Sequence, residues 1–301
     1  MSAASLLQLG SVVLFNAGFS WIVGTLFARF WLRSRATGSA DERVFLALYR
    51  TELQAVGLCL VALAGAIWAA AAVMMGDSLT AAGSMLWMTV SQTAYGQAGV
   101  VGFVILLAVG GLNATSWKSP GADAATGILF LGLAASRASV SHAGDNGMFT
   151  FGLAVEWVHL LLIALWLGGV AVGGWLVLPR TYAAAHDTAV ANRYLTRLSH
   201  AATIALIGIF ATGLYNAFQR VGSVQNVMGN SYGTALLVKL AFIGLAVALG
   251  GYNKLVGFPS LMKSSRTSPR VIAILRVESV LLLIALAAAA FLTTQQPPMA
   301  T

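Results

Sequence analysis

The chain has 301 residues, of which 58% are hydrophobic and 9% are charged, and its formal net charge is +8. Soluble domains carry about 25% charged residues, so this composition excludes an ordinary soluble fold and predicts an integral membrane protein. The positive charge does not indicate nucleic-acid binding, because excess Lys and Arg in a multi-span protein record its orientation. The single cysteine, Cys59, excludes both an intrachain disulfide and a metal site built from cysteines.

Continuous apolar runs predict a bundle of about eight transmembrane helices, each needing about 20 residues. In chain order they cover 5–31, 53–75, 84–111, 124–141, 151–176, 198–218, 232–250 and 271–292. Strands of a membrane barrel would alternate instead. The first run is long and lacks a basic start, so we expect a retained span rather than a signal peptide. The predicted fold is therefore an all-α integral membrane protein, with residues 1–301 forming one polytopic domain and no separate soluble domain.

The basic residues predict the orientation of these spans. Fourteen of the 17 Lys and Arg residues fall in alternate connections, at 29–50, 118, 180–197 and 254–276. Because cytoplasmic loops are enriched in Lys and Arg, these connections are predicted to lie inside the cell and both termini outside. The 29–52 connection has apolar residues at helical spacing, which predicts an amphipathic helix on the inner surface or a continuation of the second span.

Ionisable side chains are concentrated among apolar residues between the fourth and fifth spans. His142 ends the fourth span, and loop residues follow it directly. Glu156 and His159 are spaced i, i+3, so they share one face of the fifth helix. The short intervening loop makes the two spans neighbours, so we expect His142 to approach this face and Arg137 to pair with Glu156. Such groups in a membrane are usually functional; the alternative is a structural ion pair, with histidines bonded to the backbone.

Methionines are gathered on the predicted outer side. Apart from the initiator, seven of the eight lie there: Met74, Met75, Met85, Met88, Met148, Met228 and Met299. Thioethers are soft ligands that select Cu(I), and imidazole accepts both copper oxidation states. We therefore predict that Met85, Met88 and Met148 assist His142 and His159 in binding a metal, and apolar filling is the alternative.

Two further ionisable residues, Lys239 and Glu278, fall in the neighbouring seventh and eighth spans. The sequence favours an ion pair between them, and a proton relay is the alternative. No arrangement typical of a hydrolase, kinase or transferase is present in the sequence, so we expect a protein that is not an enzyme.

Two segments, SHAGDNG at 141–147 and AVEWVHLLLIALWLGG at 154–169, resemble the copper resistance protein D (CopD) family of bacterial inner-membrane proteins. The eight-span layout extends this likeness over nearly the whole chain. The resemblance implies copper handling across the inner membrane, a copper ion as ligand, and a periplasmic copper carrier of the CopC type as partner. It makes His142 and His159 candidate copper residues, and it makes the outer side, with both termini, periplasmic.

Three hypotheses for the function follow. The favoured one is a copper permease that holds copper at a periplasm-facing site, where Glu156 orients His159 as an outer-shell partner. The second is a haem- or quinone-linked membrane redox protein, since pairs of transmembrane histidines can ligate haem. The third is a membrane protein that binds or delivers copper without transporting it, because the outer methionines suit that role equally.

Overall fold

The computed structural model describes residues 2–33, 39–76, 78–115, 119–141, 143–144, 147, 149–183, 188–221 and 231–292. The regular structure of these residues is entirely helical. Their α-helices are α1 Ala3–Arg33, α2 Ser39–Met75, α3 Leu86–Gln92, α4 Ala94–Ala114, α5 Pro120–Ser139, α6 Phe151–Val172, α7 Leu178–Ala183, α8 Thr188–Val221, α9 Ser231–Tyr252, α10 Phe258–Lys263 and α11 Ser268–Leu292. Short 3-10 helices form at Ala81–Met85 and Ser265–Thr267, and π-helical turns form at Gly173–Val177 and Asn253–Gly257.

Seven helical segments of the described chain are long and apolar enough to cross a membrane. They are Ala3–Arg33, Glu42–Met75, Ala94–Ala114, Phe151–Tyr182, Ala189–Gln219, Gly233–Lys263 and Ser268–Leu292. These segments confirm the predicted all-α membrane architecture. The remaining predicted span, 124–141, corresponds to α5, which is helical over 20 residues but is not one of the seven. Helix α2 runs without a break from the 29–52 connection into the second span, which was one of the two structures predicted for that connection.

The predicted span 84–111 is wrong as a single helix. The chain leaves helical geometry at Thr93, whose φ and ψ are −113° and 143°, and this residue separates α3 from α4. The Thr93 hydroxyl accepts a hydrogen bond from the Gly96 backbone N–H at 3.0 Å, so it caps the start of α4. A threonine side chain can compete in this way for backbone groups that would otherwise continue a helix.

The chain folds as two compact units: Met1–Phe19 with Leu53–Leu161, and Ser20–Glu52 with Leu162–Thr301. In the first unit, α1 packs closely on α2 at Gly18, where an added Cβ would lie 2.6 Å from the Cys59 sulfur. The Phe19 ring contacts the Phe130 ring of α5, with centroids 5.3 Å apart. Small residues and aromatic contacts therefore hold the helices of this unit together, as is common in membrane bundles.

The second unit contains a fully buried ion pair between Arg29 on α1 and Glu52 on α2. Both guanidinium Nη atoms donate to the carboxylate, the Thr25 hydroxyl donates to Oε2 at 2.8 Å, and the Tyr49 ring lies 4.4 Å from the guanidinium carbon. The sequence interpretation placed Arg29 among the loop charges. The structure corrects this, because α1 continues to Arg33 and a charge buried along it requires a partner.

The backbones of α1 and α6 also meet within the second unit. A Cβ added at Gly168 would overlap the Ser20 carbonyl oxygen, and one added at Gly24 would overlap the Gly168 carbonyl. The neighbouring Gly169 accepts a hydrogen bond from the Tyr194 hydroxyl through its carbonyl oxygen, at 2.6 Å. The two glycines of the WLGG segment therefore serve helix packing.

Gly168→Ala is expected to lower the free energy of unfolding by about 1–3 kcal/mol, because the new methyl group overpacks the α1–α6 contact. The matched control is Gly244→Ala on α9, where an added Cβ meets nothing within 4 Å. Because alanine has the higher helix propensity, the control should be neutral or slightly stabilising. Equal unfolding midpoints for the two variants in detergent would show that α1 and α6 are not in backbone contact.

The helices after residue 150 form an internal repeat. The series α6, π turn, α7 and α8 recurs as α9, π turn, α10 and α11, and each element of the second copy begins 80 residues after its counterpart (151 to 231 for the first helix, 188 to 268 for the last). In each copy a proline, Pro179 or Pro259, is the second residue of the short helix after the π turn. The two copies thus place residues 80 apart at equivalent positions.

Candidate metal centre

Glu156 and His159 lie on one face of α6, within the first unit. Each side chain is 8% exposed, whereas Val158 between them is 40% exposed. The i, i+3 spacing therefore directs both ionisable groups to the buried face of the helix. Both residues interact with neighbouring groups. A carboxylate and an imidazole side by side in an apolar helix supply the two kinds of group from which metal and proton sites are built.

The predicted ligands His142 and Met148 lie outside the described residues. Close to His142, the chain makes consecutive tight turns as it leaves α5. The Ser141 N–H donates to the Ala138 carbonyl at 3.0 Å, and the Gly144 N–H donates to the Ser141 carbonyl at 2.8 Å. The described residues on either side of His142 therefore form backbone hydrogen bonds.

Two glycines are required in this connection. Gly147 has a φ of +110°, a backbone conformation that favours glycine. A Cβ added at Gly144 would overlap the carbonyl oxygen of Ser139, the last residue of α5. The segment SHAGDNG thus contains residues that set the backbone path between α5 and α6, in addition to a predicted ligand.

Arg137 lies near the end of α5 and contacts an aromatic ring. Its guanidinium carbon is 4.8 Å from the centroid of the Phe15 ring. As predicted, α5 and α6 are neighbours, since the Trp157 indole N–H donates to the Leu131 carbonyl at 3.0 Å. Arg137 follows Leu131 by six residues, so it lies roughly 9 Å further along α5 than this contact. The ion pair of Arg137 with Glu156 stays a prediction.

A small cavity lies beside Arg137 among α1, α2, α4 and α5 of the first unit. Tyr95 lines it, and the buried Tyr95 hydroxyl has no hydrogen-bond partner among the described residues. The wall also includes Val140, the residue directly after α5. A water molecule in this cavity would find a hydroxyl and a guanidinium to bind.

Two of the three predicted methionine ligands, Met85 and Met88, follow α2 in the chain. Met85 ends the 3-10 helix and is half-buried, while Met88 lies on α3 and is 50% exposed. Met74 and Met75, at the end of α2, are also exposed. Four thioethers thus lie close in sequence, and three of them, Met74, Met75 and Met88, are exposed.

No group of three or more His, Cys, Asp or Glu side chains suited to a metal occurs in the part of the chain that the structure describes. The predicted residues that share one face there are Glu156 and His159. A complete copper site therefore requires additional ligands, for which His142 and the methionines were predicted. The sequence interpretation missed the Arg29–Glu52 pair, although an unpaired carboxylate at the start of an apolar run was a signal that a partner exists.

Comparison with known proteins identifies relatives of this chain. Residues 192–292 match the family model of Copper resistance protein D. Copper transport protein CutJ of Bacillus subtilis (strain 168) is 27% identical over 175 residues, which cover 58% of this chain and 31% of CutJ. Copper resistance protein D of Pseudomonas syringae pv. tomato is 28% identical over 181 residues, which cover 59% of this chain and 58% of the relative. No solved structure matches the chain significantly.

The helices and their buried polar groups define a multi-pass helical membrane protein. The family match and the two relatives support the resemblance to copper resistance protein D that the segments 141–147 and 154–169 indicated. The aligned region spans less than two thirds of the length of each of these relatives. The family match at 192–292 lies in the second unit and does not include the predicted metal residues, so their role rests on the sequence pattern and on the structure of α6.

Proposed function

We propose that the protein transports copper across the bacterial inner membrane from a periplasm-facing site formed by His142, Glu156 and His159. The observation that carries this proposal is the burial of a carboxylate and an imidazole on one face of α6. Ionisable groups in a membrane helix are costly and mark ion pathways. The names of the two relatives, a copper transport protein and a copper resistance protein, point to copper as the ion.

Each proposed residue has a distinct role at this site. The imidazoles of His142 and His159 bind copper directly, since nitrogen ligands accept both oxidation states. Glu156 accepts a hydrogen bond from the ring nitrogen of His159 that does not bind copper, which fixes the ring orientation. Thioethers of Met85, Met88 and Met148 favour Cu(I), and the exposure of Met88 suits the capture of copper from a carrier.

The proposal includes eight spans, with α5 as the additional one and both termini in the periplasm. The 20 residues of α5 cover about 30 Å, which equals the thickness of the hydrocarbon core. Buried apolar residues and a hydrogen bond from the Ser136 hydroxyl to the Ala98 carbonyl of α4, at 3.2 Å, support its place in the bundle. The basic connections then lie in the cytoplasm, and the α5–α6 connection faces a periplasmic carrier of the CopC type. The two compact units together form one polytopic domain.

Glu156→Gln is expected to weaken copper affinity by about 10–100-fold, the usual effect of losing an outer-shell carboxylate. The matched control is Glu42→Gln, at an exposed position of α2. Affinity is measured by competition with a chelator of known copper affinity, on purified protein in detergent. Equal affinities for the two variants would remove Glu156 from the proposed site.

Reconstitution into vesicles that enclose a copper-sensitive dye separates transport from delivery. Transport predicts that external copper reaches the dye in vesicles with wild-type protein and does so more slowly with Glu156→Gln. If the protein binds copper but its vesicles give the same dye signal as protein-free vesicles, transport is contradicted and the delivery hypothesis is favoured.

A further inference from the structure

The second unit contains a buried carboxylate of which only one oxygen accepts a hydrogen bond within the described residues. Glu278, on α11, is 2% exposed. Its Oε1 accepts a hydrogen bond from the Trp166 indole N–H of α6 at 3.1 Å. Its Oε2 is buried and has no hydrogen-bond partner among the residues that the structure describes. An ionised carboxylate in this environment would be costly, because burial removes its hydration and only one donor replaces it.

The cations near α11 are engaged elsewhere. Arg276 donates to the Gly174 carbonyl at 3.0 Å and stacks on Trp175, and Lys254 donates to the Thr203 hydroxyl at 2.8 Å. Among the side chains that the structure describes, the other charged or titratable ones on the elements packed most closely against α11, and on α11 itself, are Arg180, Tyr182, Lys239, Tyr252, Lys263, Arg266 and Arg270. None of these side chains, all within the described residues, forms an ion pair with Glu278.

The partner of Glu278 is therefore Trp166 rather than Lys239, and the ion pair favoured by the sequence is not formed. The two residues lie at different levels of the packed helices. Gly250 faces the Glu278 carboxylate, and Lys239 precedes Gly250 by 11 residues, which is about 16 Å along α9. Because this ion pair is absent, the other possibility that the sequence left open, a proton relay, is the one compatible with the geometry.

The face of α9 that packs against Glu278 leaves space for its carboxylate, and a buried polar residue lies nearby along α9. A Cβ added at Gly250 would lie 2.9 Å from Glu278 Oε1, so glycine makes room for the carboxylate. About one turn further, Asn253 is fully buried at the start of the π turn, and neither its Oδ1 nor its Nδ2 has a hydrogen-bond partner among the described residues. Glu278 and Asn253 are thus both buried with unused hydrogen-bonding capacity, and Asn253 lies at a π turn, a feature frequent at functional sites.

The first copy of the internal repeat has no polar side chain at the two corresponding positions. The positions equivalent to Asn253 and Glu278 are Gly173 and Leu198, 80 residues earlier. There, a Cβ added at Gly173 would lie 2.8 Å from Tyr194, whose hydroxyl is bonded to a backbone carbonyl. The first copy therefore has no ionisable side chain at either of these two positions, although its helix boundaries correspond to those of the second copy.

We propose that Glu278 is a proton-binding site of the second unit. A bound metal ion needs several ligands, whereas one carboxylate with an amide a turn away supplies few. A proton needs one oxygen. It adds to Oε2 to give the neutral acid, while Oε1 continues to accept the hydrogen bond of Trp166. The site lies in the second unit and does not depend on the proposed copper site.

Infrared spectroscopy of the purified, copper-free protein at neutral pH tests this proposal. The wild type is expected to show the C=O stretching band of a protonated carboxylic acid, with a shift in D2O. Glu278→Gln should lack this band, and Glu42→Gln, the same change at an exposed site, should retain it. A band that persists in Glu278→Gln would belong to another carboxyl group and would overturn the proposal.

Two further spectra keep the test decisive if Glu278→Gln fails to fold. A wild-type protein without any protonated-carboxyl band at neutral pH overturns the proposal directly. Trp166→Phe removes the N–H donor to Oε1, so the band should move to higher frequency as the carbonyl loses its hydrogen bond. An unmoved band in Trp166→Phe would assign the proton to a carboxyl group other than Glu278.

Discussion

Glu52→Ala should lower the free energy of unfolding by about 3–5 kcal/mol, the usual effect of breaking a buried ion pair. The substitution leaves the Arg29 guanidinium buried without its carboxylate and deprives the Thr25 hydroxyl of an acceptor. The Tyr49 ring, 4.4 Å from the guanidinium carbon, can offset only part of this loss. The free energy is measured by denaturant titration in mixed detergent micelles.

The matched control for this prediction is Glu42→Ala, at an exposed position of the same helix, which should change stability by no more than about 0.5 kcal/mol. The double variant Arg29→Met with Glu52→Leu removes both charges and should recover most of the lost stability, since apolar replacements of buried ion pairs are often neutral. If Glu52→Ala is no more destabilising than Glu42→Ala, the pair does not hold α1 to α2.

His159→Ala should weaken copper binding by more than the roughly 10–100-fold expected for Glu156→Gln, because it removes a ligand rather than the group that orients it. The imidazole is buried on the same face of α6 as the carboxylate, so water cannot replace it freely. Copper affinity is measured by chelator competition, with the metal supplied separately as Cu(I) and Cu(II).

His200→Ala is the matched control, since this histidine is exposed on α8. It should retain wild-type affinity for both oxidation states. Comparable losses in the two histidine variants would point to non-specific binding, and unchanged affinity in His159→Ala would exclude His159 as a ligand. A Soret band in the visible spectrum of the purified wild type would favour the haem hypothesis over copper.

The membrane helices could be predicted because the signal for a span is local. About 20 apolar residues in a row leave the backbone few alternatives to a helix in hydrocarbon. The break at Thr93 was missed because a side chain that caps the next helix looks, in sequence, like any polar residue of a span. Arg29 was misplaced because its partner, Glu52, lies 23 residues away, and the count of basic residues treats every arginine near a span end alike.

The internal repeat could not be read from the sequence because the two copies share element lengths more than residues. Equivalent positions such as Pro179 and Pro259 are identical, but Leu198 corresponds to Glu278 and Gly173 to Asn253. Helix boundaries depend on hydropathy and on turn residues. Many different sequences meet these requirements, so equivalent helices need not have equivalent residues. The correspondence between the copies, and hence the residues by which they differ, became apparent only from the matching helix boundaries.

The candidate metal site was predictable to the extent that it depends on helical spacing. The i, i+3 relation of Glu156 and His159 needed only a helix to place both on one face. The prediction that His142 approaches this face depends instead on the path of the α5–α6 connection, which turns at Gly144 and Gly147. The described residues of this connection form backbone hydrogen bonds, and Gly147 has a positive φ; the spacing of the histidines reveals neither feature.

The most direct test of the copper site is X-ray absorption at the copper edge, on copper-loaded wild type and on the His142→Ala and His159→Ala variants. Histidine scattering is expected in the wild type, with sulfur scattering from methionine for Cu(I), and both variants should lose the bound copper or the histidine contribution; these results define the proposed site. A wild-type spectrum without histidine scattering, or spectra unchanged in both variants, would contradict it.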